Sequence, residues 1–345
     1  MTTIADVAQR AGVSISTVSY VMSGKRTISE QTRQRVEQAI AELGYRPHAG
    51  ARSLASRMTS VLGLQAPLRP GVDVNVVMEI VAGVVRTARD AEYDVLLLTS
   101  DDGDGLARAA GGSRVDGLLV MDVESDDPRL ATLSSLPVPT VLIGVPGDGQ
   151  EPGEIRAAAD TQSRVACVDF DFEAAGRLAA HHLADRGHRR VALLGAPESV
   201  VSRHTSFADR LARGFAAASA ERGMVSSIHP CPAGPEAAGV VDRLVREEPD
   251  TTGFLIHNEA AMPHLTAALS RHAAAVPHAG SPSGVVALCP APLAAHLPGI
   301  DAVIDIPAGQ IGTRAATALL ELVSSGETAR IALIEPQLTL TTDGE

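Results

Sequence analysis

The chain has 345 residues, 45% of them hydrophobic but only 2% aromatic, with no Trp and a formal charge of −12 at pH 7. That length is enough for more than one hydrophobic core. Cys167, Cys231 and Cys289 are scattered without CxxC spacing, which argues against a disulfide frame or a zinc site, and no stretch approaches the ~20 apolar residues of a membrane span.

The first elements read as helices. Thr3 offers a capping hydroxyl before Ile4, with Asp6 at the third helical position, so a helix starts here with Ile4, Val7 and Ala8 on one face, and Gly12 stops it. After the turn Gly12-Val13-Ser14, Ser14 caps a second helix to about Met22, its inner face formed by Val18, Val21 and Met22, with Gly24 at the end. A third helix runs from a Ser29 cap to about Leu43, where Val36, Ala39, Ile40 and Leu43 are available to cover the other two, and Gly44 closes it.

Two short helices joined by a three-residue turn containing Gly form a helix-turn-helix pattern. In such a unit the second helix enters the major groove by its N-terminal part, here Ser14, Ile15, Ser16, Thr17, Ser19 and Tyr20. An isolated amphipathic pair can mimic this pattern, but the charge distribution favours a polyanionic partner. Residues 1–60 hold eight Lys or Arg against four acids, a balance of +4, so the remainder carries −16.

Beyond residue 60, apolar runs alternate with helical patterns. VLGLQAP (61–67), DVLLLTS (94–100), VDGLLVMDV (115–123) and PTVLIGV (139–145) read as strands, and residues 74–93 as a helix. A second series starts at VACVDFD (165–171) and continues through RVALLGA (190–196), TGFLIHN (252–258) and SGVVALCP (283–290). Residues 306–326 form an amphipathic helix, followed by a final strand in IALIEPQLTL. The expectation is two doubly wound lobes with parallel sheets, whose ligands bind at the carboxyl ends of the strands, in a cleft between them. No heptad extension follows Glu345, so a coiled-coil tetramer is not expected.

Across residues 2–57, TIADVAQRAGVSISTVSYVMSG, ISEQTRQRVEQAIAELGYRP and ARSLASR together resemble the lactose- and galactose-repressor (LacI/GalR) family. The resemblance continues in VDFDFEAAGRLAAHHLADRGHRRVALLGAP, RGFAAASAERG and HNEAAMP. It implies a small all-α headpiece (1–46), a hinge helix and linker (47–59), and an α/β periplasmic-binding-protein-like body (60–345) for effector binding and dimerisation. The expected lobes are 60–160 plus a crossover near 300–325, and 161–299 plus 326–345. The same fold serves exported receptors, yet residues 1–25 lack an apolar leader core, so a cytoplasmic location is expected.

The family's variable code positions fall on Ile15 and Ser16, with Tyr20 on the same face. Ile15 can make only apolar contact, such as with a thymine methyl. Thr17, Ser19, Ser29 and Thr32 are expected at phosphates, each with helix capping or solvation as the alternative. Thr3, Ile4, Ser23 and Thr27 are further candidate contacts. In the hinge, His48, Ala51 and Leu54 complete the set, Leu54 as a wedge into a minor-groove step that bends the operator. His48 stands where the family commonly has Asn, and Gly50 weakens intrinsic helicity.

For the effector, expected to be a sugar or related metabolite, Asn258 matches the family's ligand-bonding Asn, with Glu259 in place of the usual Asp. Phe170 aligns with an aromatic that covers a sugar face, core packing being the alternative. Arg210 and Arg213 bracket Leu211, where the family places an effector-binding Arg, and a one-residue shift rotates a helical side chain by ~100°. VALCPAP (286–292) lacks the family's sugar-binding Asp, which leaves Asp122 and Asp148 as candidate carboxylates, or as caps and solvated acids.

No HExxH or GxSxG motif is present, the glycines of GDGLARAAGG read as a loop, and His188 in RGHRRV reads as structural. Catalysis, cofactors and metals are therefore not expected. The resulting expectation is a homodimeric repressor on a pseudopalindromic DNA operator, controlled by a small molecule. The alternative is a solute-binding sensor whose headpiece serves another interaction.

Overall fold

The computed structural model describes residues 2–23, 26, 28–45, 58–66, 68–69, 73–100, 102–112, 114–147, 164–275, 284–328 and 330–341. The chain divides into two units, Met1–Thr59 and Ser60–Glu345.

In the first unit, α1 (Ile4–Ala11), α2 (Ile15–Ser23) and α3 (Glu30–Leu43) are delimited by local chemistry. Thr3 and Asp6 form a reciprocal capping box, and Gly12 ends α1 in the left-handed region at φ 63°. The Ser14 hydroxyl accepts the Thr17 N–H at 3.1 Å. Ser29 caps α3 and Gly44 closes it at φ 55°. Val7, Ala8, Ala11, Val18, Val36, Ala39 and Tyr45 form the core. Tyr45 lies beyond the helical periodicity, so a reading of helix faces does not find it.

The second unit holds two six-stranded sheets. Strands β1 (Val61–Gln65), β2 (Asp94–Leu98), β3 (Gly117–Val120), β4 (Thr140–Ile143) and β5 (Val165–Phe170) belong to the first. The second contains β6 (Arg190–Gly195), β7 (Val225–Pro230), β8 (Gly253–Ile256), β9 (Gly284–Cys289) and β10 (Ala302–Asp305). Then β11 (Ile331–Ile334) returns to the first and β12 (Leu338–Leu340) to the second, giving orders β11-β5-β4-β3-β1-β2 and β12-β10-β9-β8-β6-β7. Every pairing is parallel except β10 with β12.

These pairings correct the expected lobe boundaries. Residues 165–170 do not open the second lobe but add to the first sheet beside β4, and the expected single final strand splits between both sheets. Strand β10 belongs to the second lobe, while helix Ala308–Ser324 crosses back onto β3, β4 and β5. The chain therefore passes between lobes after β5, after β10 and between β11 and β12. A buried strand has the same apolar pattern in either sheet, so composition does not reveal its partner. A second correction concerns GDGLARAAGG: Gly103–Gly111 is a helix, because the Asp102 carboxylate caps the Gly105 N–H at 2.7 Å.

Two pairs of close-packed helices support the lobes. Gly83 and Gly312 bring helix Val74–Asp90 against Ala308–Ser324, and Gly176 and Gly214 bring Phe172–Asp185 against Ser206–Glu221. Among the described residues, no helix is long and apolar enough to cross a membrane.

Candidate functional site

The headpiece presents the start of α2 outward. Ile15 is 52% exposed although apolar, Ser14 and Ser16 are exposed, and Tyr20 is exposed beneath the Arg26 guanidinium, 5.7 Å from its ring centroid. The hydroxyls are already organised: Ser14 Oγ lies 2.8 Å from both Ser16 Oγ and Thr17 Oγ1. Thr17, Ser19 and Thr32 are half-buried at the edges of this face, and Ile4 packs on the core. Thr3 and Ser29 serve as caps. Ser23 ends α2. Thr27, His48, Ala51 and Leu54 lie outside the described residues.

In the body, a cavity of about 170 Å³ opens at the carboxyl ends of strands from both sheets. Its lining comes from just after β1 (Ala66), β3 (Met121, Asp122, Val123), β4 (Gly144), β6 (Ala196, Pro197), β8 (His257, Asn258, Glu259) and β10 (Ile306), and from Asp73, Val76, Val77 and Ile80 at the start of helix Val74–Asp90. This is where doubly wound sheets place ligands. Phe172 and Phe207 form an aromatic wall with His257, at ring separations of 5.4 to 5.6 Å.

The structure distributes the sequence candidates unevenly. Asp122 lines the cavity at φ 55° and is held by Arg69 at 2.8 Å and Arg203 at 2.9 Å. Asn258 also lines it, but its amide donates to the Cys231 carbonyl at 2.8 Å while its oxygen accepts the Ala261 N–H. It therefore clamps the loop after β8. Phe170 is fully buried behind Phe172, with ring centroids 5.1 Å apart, and does not line the cavity. Arg210 is buried against Asp169 at 2.7 Å, and Arg213 pairs with Glu173 at 2.9 Å. Neither lines the cavity. Asp148 lies outside the described residues.

Several cavity groups escape a reading by motif: Asp73, Asp169, Phe172, Phe207 and His257. Glu259, in place of the family's Asp, joins them there. The signal available for Phe172 was its position two residues after Phe170, across the strand end. Burial pushes the Asp169 carboxyl up to about 6 against the opposing pull of Arg210. Burial also raises Glu259, whose carboxyl lies 3.9 Å from the His257 ring. Beneath the site, Arg129 donates to both Asp127 oxygens at 2.9 and 2.6 Å, to Gln65 at 2.7 Å and to the Asp122 carbonyl at 2.9 Å, which fixes the backbone of the loop after β3.

Residues 3–48 match the model for bacterial regulatory proteins of the lacI family, and residues 180–342 match that for the periplasmic binding protein-like domain. The headpiece belongs to the lacI family of bacterial regulatory proteins. Its relatives include the catabolite control protein A of Priestia megaterium, 31% identical over 56% of this chain and 54% of that protein. The PurR repressor of Escherichia coli O139:H28 (strain E24377A / ETEC) is 37% identical over 57% of this chain and 55% of its own. The matches thus span little more than half the length of these curated relatives. Among solved structures, the lac repressor dimer bound to operator and the anti-inducer ONPF superposes with a TM-score of 0.73 and 22% identity, covering 98% of this chain and 97% of that one. The complex of the transcriptional regulator CelR with cellobiose gives 0.62 and 24%, with 98% of each covered. These likenesses establish the fold.

Proposed function

We propose that this chain is a sequence-specific DNA-binding repressor whose operator affinity is set by a small molecule in the interlobe cavity. The observation that carries this reading is Ile15: a large apolar side chain 52% exposed at the leading end of α2, flanked by organised hydroxyls. Exposure there has a purpose if the residue meets a thymine methyl in the major groove while Ser16 and Tyr20 reach base edges. Thr17, Ser19, Ser29 and Thr32, with Thr3, Ile4, Ser23 and Thr27 around them, set register on the phosphates. His48, Ala51 and Leu54 form the minor-groove hinge.

The working unit is a homodimer of body domains, 60–345. Supporting this, β2 and β7 are the outer strands at corresponding ends of their sheets, with Leu96, Leu97, Val225 and Ile228 exposed. Val74, Met78 and Val85 extend the first of these patches along helix Val74–Asp90. Open edges beside apolar faces invite a second copy, and a two-fold dimer matches a pseudopalindrome. A metabolite that closes the cavity shifts the lobes and, by linkage, must bind DNA-bound and DNA-free forms unequally. A carbohydrate is the class we infer, given few stacking rings and several carboxylates able to accept hydroxyl donors.

A gel shift of the full chain on its own upstream region, with random competitor and a titrated panel of sugars, tests the reading. A specific complex, strengthened or released by one compound, is expected. No preference for any fragment over competitor, with or without the panel, overturns it in favour of a sensor without an operator.

A further inference from the structure

The ionisable lining of the cavity is one-sided. Asp73, Asp122, Asp169 and Glu259 contribute carboxyls, His257 is the other titratable group, and no Lys or Arg is among the lining residues described. Asp122 and Asp169 already have guanidinium partners in Arg69, Arg203 and Arg210. The remaining two belong to opposite lobes. Asp73 caps helix Val74–Asp90 of the first lobe, its Oδ1 accepting the N–H groups of Asn75 at 2.7 Å and Val76 at 3.3 Å. Glu259 follows β8 of the second lobe, its carboxyl 3.9 Å from the His257 ring and close enough to Asp73 to feel that charge. Two acids of like sign therefore enter one enclosed space beside the Phe172 and Phe207 rings.

Resting on the effector-site reading above, we propose that the cavity takes a ligand bearing a protonated amino group, seated between Asp73 and Glu259 with its carbon skeleton against Phe172 and Phe207, and rejects phosphorylated and carboxylated analogues. One ammonium set between the two carboxyls offers donors to each and offsets part of their like charge, whereas a hydroxyl satisfies an oxygen but brings no opposing charge. Aromatic faces add cation–π attraction. An anion would instead be desolvated among carboxylates, which is selection by repulsion. A divalent metal lacks the ligand set: among the described residues, no group of three His, Cys, Asp or Glu is arranged to hold one. Because the two acids sit on different lobes, the contact that recognises the amine also draws the lobes together.

Calorimetry on the full chain tests this with cyclohexylamine, cyclohexanol and cyclohexanecarboxylate as shape-matched probes, alongside glucosamine, galactosamine and their neutral parent sugars. The amine of a pair is expected to bind about tenfold or more tightly than its alcohol, a difference of about 1.4 kcal/mol, with the carboxylate silent. Asp73→Asn, which retains helix-capping ability, and Glu259→Gln should each abolish that preference while leaving the melting midpoint of the unliganded protein nearly unchanged. Equal binding of amine and alcohol, or a preference that survives Glu259→Gln, overturns the inference and leaves the effector site standing. Silence from every compound, neutral sugars included, overturns the effector-site reading as well.

Discussion

Arg210 and Arg213 lie one helical turn apart, yet they occupy different electrostatic environments. Arg210 is 3% exposed and its charge is answered by Asp169, whereas Arg213 and Glu173 remain partly solvated. Asp169→Asn would leave the buried Arg210 with only the Asp171 carboxylate, at 3.5 Å, so it should destabilise the body by up to about 3–5 kcal/mol. Arg213→Ala should stay within about 1 kcal/mol. Urea midpoints of the two variants check the contrast, and equal losses would show that Arg210 is not held as described. Asp127 yields a pH prediction. Burial raises its carboxyl, but the hydrogen bonds and charge of Arg129 outweigh this and hold it below its ordinary value of 3.8. A depressed folded pKa contributes stability that is present above the unfolded value and lost as pH falls through the folded one. The stability gap between wild type and Asp127→Asn should therefore be large at about pH 7 and shrink towards about pH 3. A gap independent of pH would remove the carboxylate as its source.

At the scale of elements, the two lobes share a device. A Cβ at Gly214 would lie 2.0 Å from the Glu173 carbonyl, and one at Gly312 equally close to the Ile80 carbonyl. Both helix pairs thus depend on backbone-to-backbone contact. Gly214→Ala should destabilise by at least about 1–3 kcal/mol through overpacking. Gly239, in helix Ala238–Glu247, has open space around its missing Cβ, and Gly239→Ala should be neutral or stabilise by up to about 1 kcal/mol. Thermal midpoints measure both; similar shifts would contradict the close-approach account. For the hinge we expect Leu54→Ala to weaken operator binding far more than binding to random duplex, since the phosphate contacts remain when the wedge is gone. Parallel gel shifts on the two duplexes decide it, and equal losses count against the wedge.

For the whole molecule, charge asymmetry would govern the proposed encounter with DNA. Residues 1–60 carry +4 and the remainder −16, so attraction is confined to one end and the body limits indiscriminate adhesion. Operator affinity should fall steeply with salt, by roughly 10³-fold or more between ~50 and ~200 mM if six or more phosphates are neutralised per dimer. A flat dependence measured by fluorescence anisotropy would place the contact elsewhere. On the proposed reading, a cavity ligand should act on this affinity without altering the salt slope, because it would change the population of binding-competent molecules and not the number of phosphates each one touches.

Much of the headpiece was legible because its signals are local. The Thr3–Asp6 box, the left-handed Gly12 and Gly44, the Ser14 and Ser29 caps and the helical apolar spacing each act over a few residues, where short-range sterics and hydrogen bonding dominate. Most strand positions in the body were legible for the same reason, but β7 (Val225–Pro230) and β10 (Ala302–Asp305) were not read as strands. What tertiary structure alone decided was partnership: that β5 joins the first sheet, that Phe172 and not Phe170 faces the cavity, and that Asn258 clamps its own loop. The cavity draws on residues from Ala66 to Ile311, brought together by crossings between lobes. Buried strands look alike whichever sheet they join, and a pocket assembled across such separations leaves no periodic trace along the chain.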